Sequence, residues 1–580
     1  MSPKKIAIVG AGCAGLSTLL ALRESEHEVH LFDARDELLS SLHDVPVTLD
    51  GGTVGCRVNR SLTIYDAERS PNFSAMARAY SLYPDKVPFL MTSSSSKEDM
   101  KYLWHYSFGR KFERGIKRWM PGALFNFSSW ILSVEILRFN HVARSDLTRN
   151  ASTLDDENKN EDGSRAYDQS VYEYLKRNKF SLEFQERYFL PLVCILYTIT
   201  DRDDVFDLPV IHVLQRLWTL DLLRLPSSWG NWNVSRISGP NLPVDSIDVP
   251  FHSNCRVNSI KQDAKTGLFA LHYECDEEKF SRDQGAEPRY EWDHIVLAVP
   301  GDVARDIMKD ISSKEEDLIL SHFTSDLVVA VLEKHPAQPA GSDGPSAATF
   351  NYATSPDLLD PSVMISYGYR QHRCKSNMTL HPFPSSENAP IVASVTLNLK
   401  SPPYDLSRIQ TLWEYQQPRL TRQTLLAQKQ LKKIQNTRGI SYAGAWTETG
   451  NIGWHEDAAR SGFRVAEDHL GARSWKKGVD FEAIRRKEEA IASQCVLPKE
   501  KGQDVLIKLG LALLLAGLQV LDFGLVAMAV LCGVWEGQGR MVGGERFAMY
   551  MEEWDDRAGR LKMRLSGKRS SHPSLSRKLN

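Results

Sequence analysis

Cysteine is sparse in this chain, and its spacing forms no pairs. Eight cysteines, at positions 13, 56, 194, 255, 275, 374, 495 and 532, are scattered over 580 residues with no CxxC. That pattern argues against a disulfide framework and against a zinc site. An excess of charge of one sign is missing too. The 71 Lys and Arg nearly balance the 73 Asp and Glu, leaving a formal net charge of −2. No global field attracts a polyanion, so nucleic acid is not an expected partner. There is no GxSxG, no HExxH and no P-loop, so those hydrolase, metalloprotease and nucleotidase chemistries have no residues to rest on. No secretory leader is expected either, because Ser2-Pro3-Lys4-Lys5 runs directly into an apolar strand. The nucleotide-binding part is therefore expected in a reducing compartment, the cytosol.

What is present is concentrated at the N-terminus. Lys4-Lys5-Ile6-Ala7-Ile8-Val9 reads as a short strand. It enters Gly10-Ala11-Gly12-Cys13-Ala14-Gly15 and then a helical pattern from Leu16 to Arg23. A second strand, Glu28 to Phe32, ends in Asp33-Ala34-Arg35. Strand, glycines, helix, strand and acid in register are the signature of a βαβ unit that binds an adenine dinucleotide. Gly10 permits the tight turn. Gly12 lets the backbone approach a pyrophosphate, which then sits on the helix N-terminus at Cys13, Ala14 and Gly15. Asp33 can accept hydrogen bonds from ribose hydroxyls, and its charge disfavours the 2′-phosphate of NADP. Arg35 either approaches the adenosine or is solvated. Cys13 reads most simply as a small packing residue. Leu19 replaces a smaller residue expected on the sheet side of the helix, which predicts looser packing there.

Further along, Ser93 to Ser96 reads as an exposed loop. Helical signals cover Trp119–His141 and Ser170–Arg187, separated by a polar insert at Leu154–Gly163. Alternating residues at 256–260 and 268–273 predict antiparallel strands, and Asp293 to Pro300 a buried strand. Pro336 to Pro345 is another loop. Gly439 to Trp446 is a strand entering a glycine, followed by a helix through Ser461 to Glu467. The expected fold class is α/β. A doubly wound, discontinuous nucleotide domain takes residues 1–70, 230–305 and 435–472. An inserted α+β substrate domain takes 71–229 and 306–434. Residues 473–580 form a C-terminal extension with an apolar helix region.

That extension holds a run from Leu509 to Trp535 interrupted only by Gln519 and Asp522 among polar side chains. It is long enough to span a bilayer, and a basic tail follows, from Arg560 to Lys578. The expectation is membrane association through 509–535 on a cytosol-facing protein, as a span, a hairpin bent at Asp522 or an in-plane segment. The alternative is a buried soluble helix pair.

Taken with these motifs, the layout resembles the FAD-dependent amine-oxidase-like flavoprotein superfamily. It looks closest there to bacterial and fungal NAD/FAD-binding oxidoreductases associated with cyclopropane fatty-acid synthases. The resemblance spans about residues 4–472 and is most specific from Ile434 to Ser461-Gly462. It implies FAD as cofactor, with the segment from Gly444 to Ser461 closing over the ribityl chain and flavin ring. It also implies that the Val257 backbone meets the adenine. Glu448 and Asp457 either bond flavin or ribose hydroxyls or cap the helix that follows. His455 either orients substrate and moves a proton or is a packing histidine. Trp446 and Trp454 either wall the flavin or belong to the core. The sequence departs from the family where relatives carry glycines: Leu39-Ser40, Asn59-Arg60-Ser61-Leu62 and Ser238-Gly239-Pro240 stand there. The implied activity is dehydrogenation of a lipophilic small molecule by hydride transfer to the flavin. A flavin-dependent double-bond isomerase and a flavoprotein without turnover remain the alternatives.

Overall fold

Strand β1 (Lys5–Val9) lies at the centre of a five-stranded parallel sheet. Its neighbours are β2 (Glu28–Phe32) on one side and β6 (His294–Leu297) on the other. Outside these lie β3 (Phe251–His252) and β7 (Ile440–Tyr442). The computed structural model describes residues 2–39, 44–48, 54–59, 65–82, 84–88, 91–95, 127–151, 169–220, 222–223, 233–237, 242, 247–275, 291–334, 350–354, 363–373, 378–381, 391–398, 406–448, 454–473, 479–494, 510–511, 513–517 and 520.

The alternation of β1 sorts the core. Ile6 and Ile8 join Leu31 and Val296 in one apolar cluster, while Ala7 and Val9 join Phe32, Ile295 and Leu297 in another. A strand buried on both faces needs a cover on each. On the first face the cover is helix α1 (Cys13–Leu22) with α2 (Pro71–Ala79) and α5 (His455–Arg464). On the second face sit Trp292, Phe323 and Trp446, and the antiparallel pair β4 (Cys255–Gln262) and β5 (Phe269–Cys275). The strand exits lock to one another. Gly10 N–H donates to Phe32 O at 2.7 Å, Ala298 N–H to Val9 O at 2.8 Å, and Ala443 N–H to Leu297 O at 2.9 Å. Three loops therefore leave the same C-terminal edge of the sheet, the edge where open α/β sheets bind ligands.

A second sheet is mixed and seven-stranded. Its path runs Ile409–Pro418, Ser325–Lys334, Ile391–Leu397, Val363–Arg373, Phe350–Thr354 and Met91–Ser95, with Met378–His381 paired onto Val363–Arg373. Helices α3 (Leu190–Tyr197) and α4 (Val210–Thr219) belong to the same stretch of chain as the first insert. By internal contacts the chain falls into two units, 1–115 with 140–499 and 116–139 with 500–580. In the second unit, Ile131 and Val134 form a small apolar cluster with Leu515 and the partly buried Leu511.

Several expectations need correction. Cys255 and Cys275 form a disulfide, with Cα atoms 4.3 Å apart. They face each other across β4 and β5, a register that their separation of 20 residues does not reveal. Met91–Ser95 is not a loop, because its backbone pairs in parallel with Phe350–Thr354. The single helix expected over Ser170–Arg187 is broken at Lys179, whose φ is +54°. It forms Val171–Arg177 and, after the Ser181 cap, Leu182–Phe184, which leads into a π-turn and α3. Leu19 is buried in the apolar cluster on the α1 face of the sheet. The membrane expectation is overturned: among the described residues no helix is long and apolar enough to cross a membrane. Of the run 509–535, only 510–511, 513–517 and 520 are described. The loops expected at 154–163 and 336–345, the departures at 60–62 and 238–240, and Ser40 lie outside the described residues.

Candidate nucleotide-binding site

Three glycines do three different jobs at the end of β1. Gly10 has φ +110°, and a Cβ there would sit 2.4 Å from Ala298 O. Gly15 brings α1 onto the loop, since its Cβ would meet Gly10 O at 1.8 Å. Gly12 is the opposite case: a Cβ there meets nothing within 4 Å. It faces open space at the N-terminus of α1, where no side chain caps the helix and no acid lies in the first turn. The first-turn amides of a helix carry partial positive charge and lack intrahelical acceptors. In this cradle the open space at Gly12 and the positive helix end suit a pyrophosphate. Cys13 and Ala14 line its base as buried packing residues, and burial pushes the Cys13 thiol up to about 12, which leaves it unreactive.

Asp33 binds the loop before it binds any ligand. Its Oδ2 accepts from Ala11 N–H at 2.6 Å and its Oδ1 from Arg35 N–H at 2.8 Å. A carboxylate offers about four acceptor positions, so capacity for ribose hydroxyls remains. Burial raises its pKa against these two bonds and the charges of Arg35 and Arg256. Ala34 and Arg35 are exposed beside it. The β4–β5 pair is tied to the same corner: Cys255 N–H donates to Asp33 O at 2.8 Å and Asn254 N–H to Arg35 O at 3.2 Å. Val257 follows two residues later on β4, buried and paired with Tyr273.

The closing segment returns to α1 through a glycine. A Cβ on Gly462 would lie 2.2 Å from Ala14 O, and Thr18 Oγ1 donates to Gly462 O at 3.1 Å. Gly444 has φ +153°, and its N–H donates to Ser461 Oγ at 2.8 Å. Ser461 thus holds the corner together. Trp446 is a core residue: its indole N–H donates to Val299 O at 2.9 Å, and it packs on Phe323.

Around α5 lies a buried cluster of charge. Arg460 reaches Glu488 at 2.8 Å, Glu456 at 3.6 Å, Asp457 at 3.8 Å and Glu448 at 3.9 Å. Burial would depress the Arg460 guanidinium, but Asp457, Glu456, Glu488 and Glu448 hold its pKa up. Glu448 also pairs with Arg464 at 3.0 Å. Burial pushes Glu448 and Glu456 each up to about 7, against the pull of the arginines. Glu456 accepts from Phe73 N–H at 2.8 Å and from Asn72 N–H and Nδ2–H at 3.2 and 2.7 Å. It caps α2, whose own N-cap residue makes no side-chain bond. Asp457 is fully buried and lies 3.7 Å from Arg216 of α4. The Arg216 guanidinium covers the Trp454 ring at 3.6 Å. His455 packs on Phe73, and burial lowers its pKa to about 4. It is neutral near pH 7 and a weaker base than an ordinary histidine.

The expected residues therefore form two groups. Gly10, Gly12, Cys13, Ala14, Gly15 and Asp33 make one cradle, with Val257 on the strand pair tied to it. Gly444, Glu448, Asp457 and Ser461 make a corner and charge cluster packed on α1. Sequence reasoning missed Arg216, Glu456, Arg460 and Glu488. Arg216 had a signal, being a charge at the i+3 position from Val213 in a helix whose other buried residues include Ile211, Leu214 and Leu217. Among the described residues no group of His, Cys, Asp or Glu is placed to hold a metal. A cavity of about 300 Å³ is lined by Tyr197, Asp201, Asp204, Asp326, Gln417 and Arg419 among others, and no residue of either group borders it.

Residues 8–80 match the family model of the NAD(P)-binding Rossmann-like domain. No curated protein matches the chain by sequence. Among solved structures the chain is similar to a CLA-producing fatty acid isomerase from P. acnes, at 15% identity and TM-score 0.46, covering 80% of this chain and 98% of that one. It is also similar to cyclohexylamine oxidase from Brevibacterium oxydans, at 12% identity and TM-score 0.48, covering 80% and 98%. Putrescine oxidase bound to putrescine matches at 13% identity and TM-score 0.47, covering 81% and 99%. These likenesses are distant, and no residue role passes from those proteins to this chain. None of them bears on the association with cyclopropane fatty-acid synthases.

Proposed function

We propose that this chain is a flavoprotein that binds FAD non-covalently and acts as an oxidoreductase on a small molecule. The observation that carries the reading is the open cradle at Gly12, set at an uncapped helix N-terminus. A second segment, Gly444 to Gly462, packs onto that same helix. A nucleotide site of the simplest kind needs only the βαβ unit. The returning strand, corner and helix supply a second wall, which suits a cofactor longer than a mononucleotide.

When bound, the flavin supplies a hydride acceptor. The chain's own residues then do limited work. The α1 amides hold the pyrophosphate, Asp33 accepts from the ribose, and Val257 lies by the adenosine end. Glu448, Asp457 and Arg460 fix the wall of the closing segment. His455 is neutral near pH 7, so it carries no positive charge beside the closing segment. Dehydrogenation needs few side-chain catalysts, which agrees with this sparse set. The substrate in this reading is a lipophilic small molecule, as the family resemblance implies. The test is direct. Purified protein should be yellow, and acid precipitation should release FAD wholly into the supernatant. Saturated protein without a flavin band would overturn the proposal.

A further inference from the structure

We propose that Arg216 is a positioning residue for the cofactor, holding Trp454 and Asp457 of the closing segment in place from the opposite helix. This rests on the flavin reading above and extends it to a residue outside the nucleotide domain. Helix α4 packs an almost wholly apolar face, with Val210, Ile211, Val213, Leu214 and Leu217 buried. Arg216 is buried among them at 5% exposure. A guanidinium in such a place is costly unless it is matched. Its match comes from α5 and the residue before it. The flat cation stacks on the Trp454 indole at 3.6 Å, and Nη2 lies 3.7 Å from Asp457 Oδ2.

The two contacts make different demands. The charge on Asp457 asks only for a cation nearby, which lysine also provides. The indole asks for a planar, weakly hydrated cation, which lysine does not provide. Arg216 answers both and thereby fixes the ring and the carboxylate relative to each other. Donors are also left over. Arg216 Nε and the buried Tyr197 hydroxyl of α3 have no hydrogen-bond partner among the described residues. Burial raises the Tyr197 pKa, and the charges of Arg216 and Asp457 also act on it, so the three groups are within electrostatic reach. An unspent donor on the very cation that covers the indole is what a site keeps for an acceptor-bearing ligand.

A residue that only pairs charge and one that positions the cofactor differ in what they disturb. The experiment titrates FAD into apoprotein, recording dissociation constant, visible flavin spectrum and melting temperature. Arg216→Met should lower the melting temperature, weaken FAD about tenfold or more and shift the flavin bands. Arg216→Met combined with Asp457→Asn removes the buried carboxylate that Arg216 helps to neutralise, so stability should return while affinity and spectrum stay altered. Arg216→Lys should recover stability without restoring the spectrum. Trp454→Leu should reproduce the spectral shift with Arg216 intact. The proposal falls if the double variant binds FAD with wild-type affinity and spectrum. It falls equally if Trp454→Leu leaves the bands unmoved or Arg216→Lys restores them. Wild-type protein with no flavin band would remove the flavin reading itself, which separates the two failures.

Discussion

Each glycine of the loop can be tested with a single added side chain. Gly12→Val adds its branches to open space, so the protein should fold with an unchanged melting temperature and lose FAD binding in an apoprotein titration. Gly15→Ala places a methyl 1.8 Å from Gly10 O, so folding should suffer first, by about 3 kcal/mol or more in denaturant unfolding. Leu39 is a subtler case. It takes a left-handed conformation, with φ +53°. That conformation costs an L-residue about 1–2 kcal/mol, yet the side chain is only 2% exposed in the core beside α1. Core truncation costs about 2–5 kcal/mol. Leu39→Gly should therefore destabilise by about 2 kcal/mol while leaving FAD affinity unweakened. The glycine loop was legible in sequence because all its contacts are local: strand, turn, helix and acid lie within thirty-odd residues. The strain at Leu39 was not legible, because only a backbone angle reveals that this leucine adopts a conformation that favours glycine.

At the scale of elements, the contact between α1 and α5 is set by Gly462. Gly462→Ala drives a methyl to 2.2 Å from Ala14 O, and the two helices must separate. Thermal unfolding should fall together with cofactor retention. The charge cluster on α5 predicts a pH dependence. Glu448 and Glu456 sit near about 7 when folded, against an ordinary 4.5. The folded state thus holds their protons more tightly than the unfolded chain. Their contribution is full below about pH 4.5 and is lost as pH rises through about 7. Between about pH 5 and about pH 8 each of the two should cost the protein on the order of 2–3 kcal/mol of stability, and Glu448→Gln should flatten the slope. A melting temperature that climbs over that interval would refute the account. The cluster was only half visible in sequence. Glu456, Asp457 and Arg460 share a helix and could be paired by spacing. Arg216, Asn72 and Glu488 come from other elements, and no periodicity in α5 points to them.

For the whole molecule, the Cys255–Cys275 bridge is the plainest lever on stability. It closes a loop of about 20 residues, worth roughly 3 kcal/mol by loop entropy. Reductant, or Cys275→Ser, should lower the melting temperature accordingly, with β4 and β5 loosening first in hydrogen exchange. The nucleotide sheet was readable as three separate stretches because each carries a strand pattern ending in a turn. The mixed sheet was not, since strands such as Met91–Ser95 carry no alternation and exist only through their partner. The order of those stretches has a consequence for biosynthesis. Strand β7 and the glycine that packs on α1 are among the last parts of the sheet domain to leave the ribosome, whereas the βαβ unit is the first. Chains are made at about 5–20 residues per second, so the finished cradle waits some tens of seconds for its second wall. Parallel pairing at such separation is also slow to form. Cofactor loading is therefore a late event, after translation has passed residue 462, and a nascent chain halted before that point should carry the fingerprint of a nucleotide site but hold no flavin.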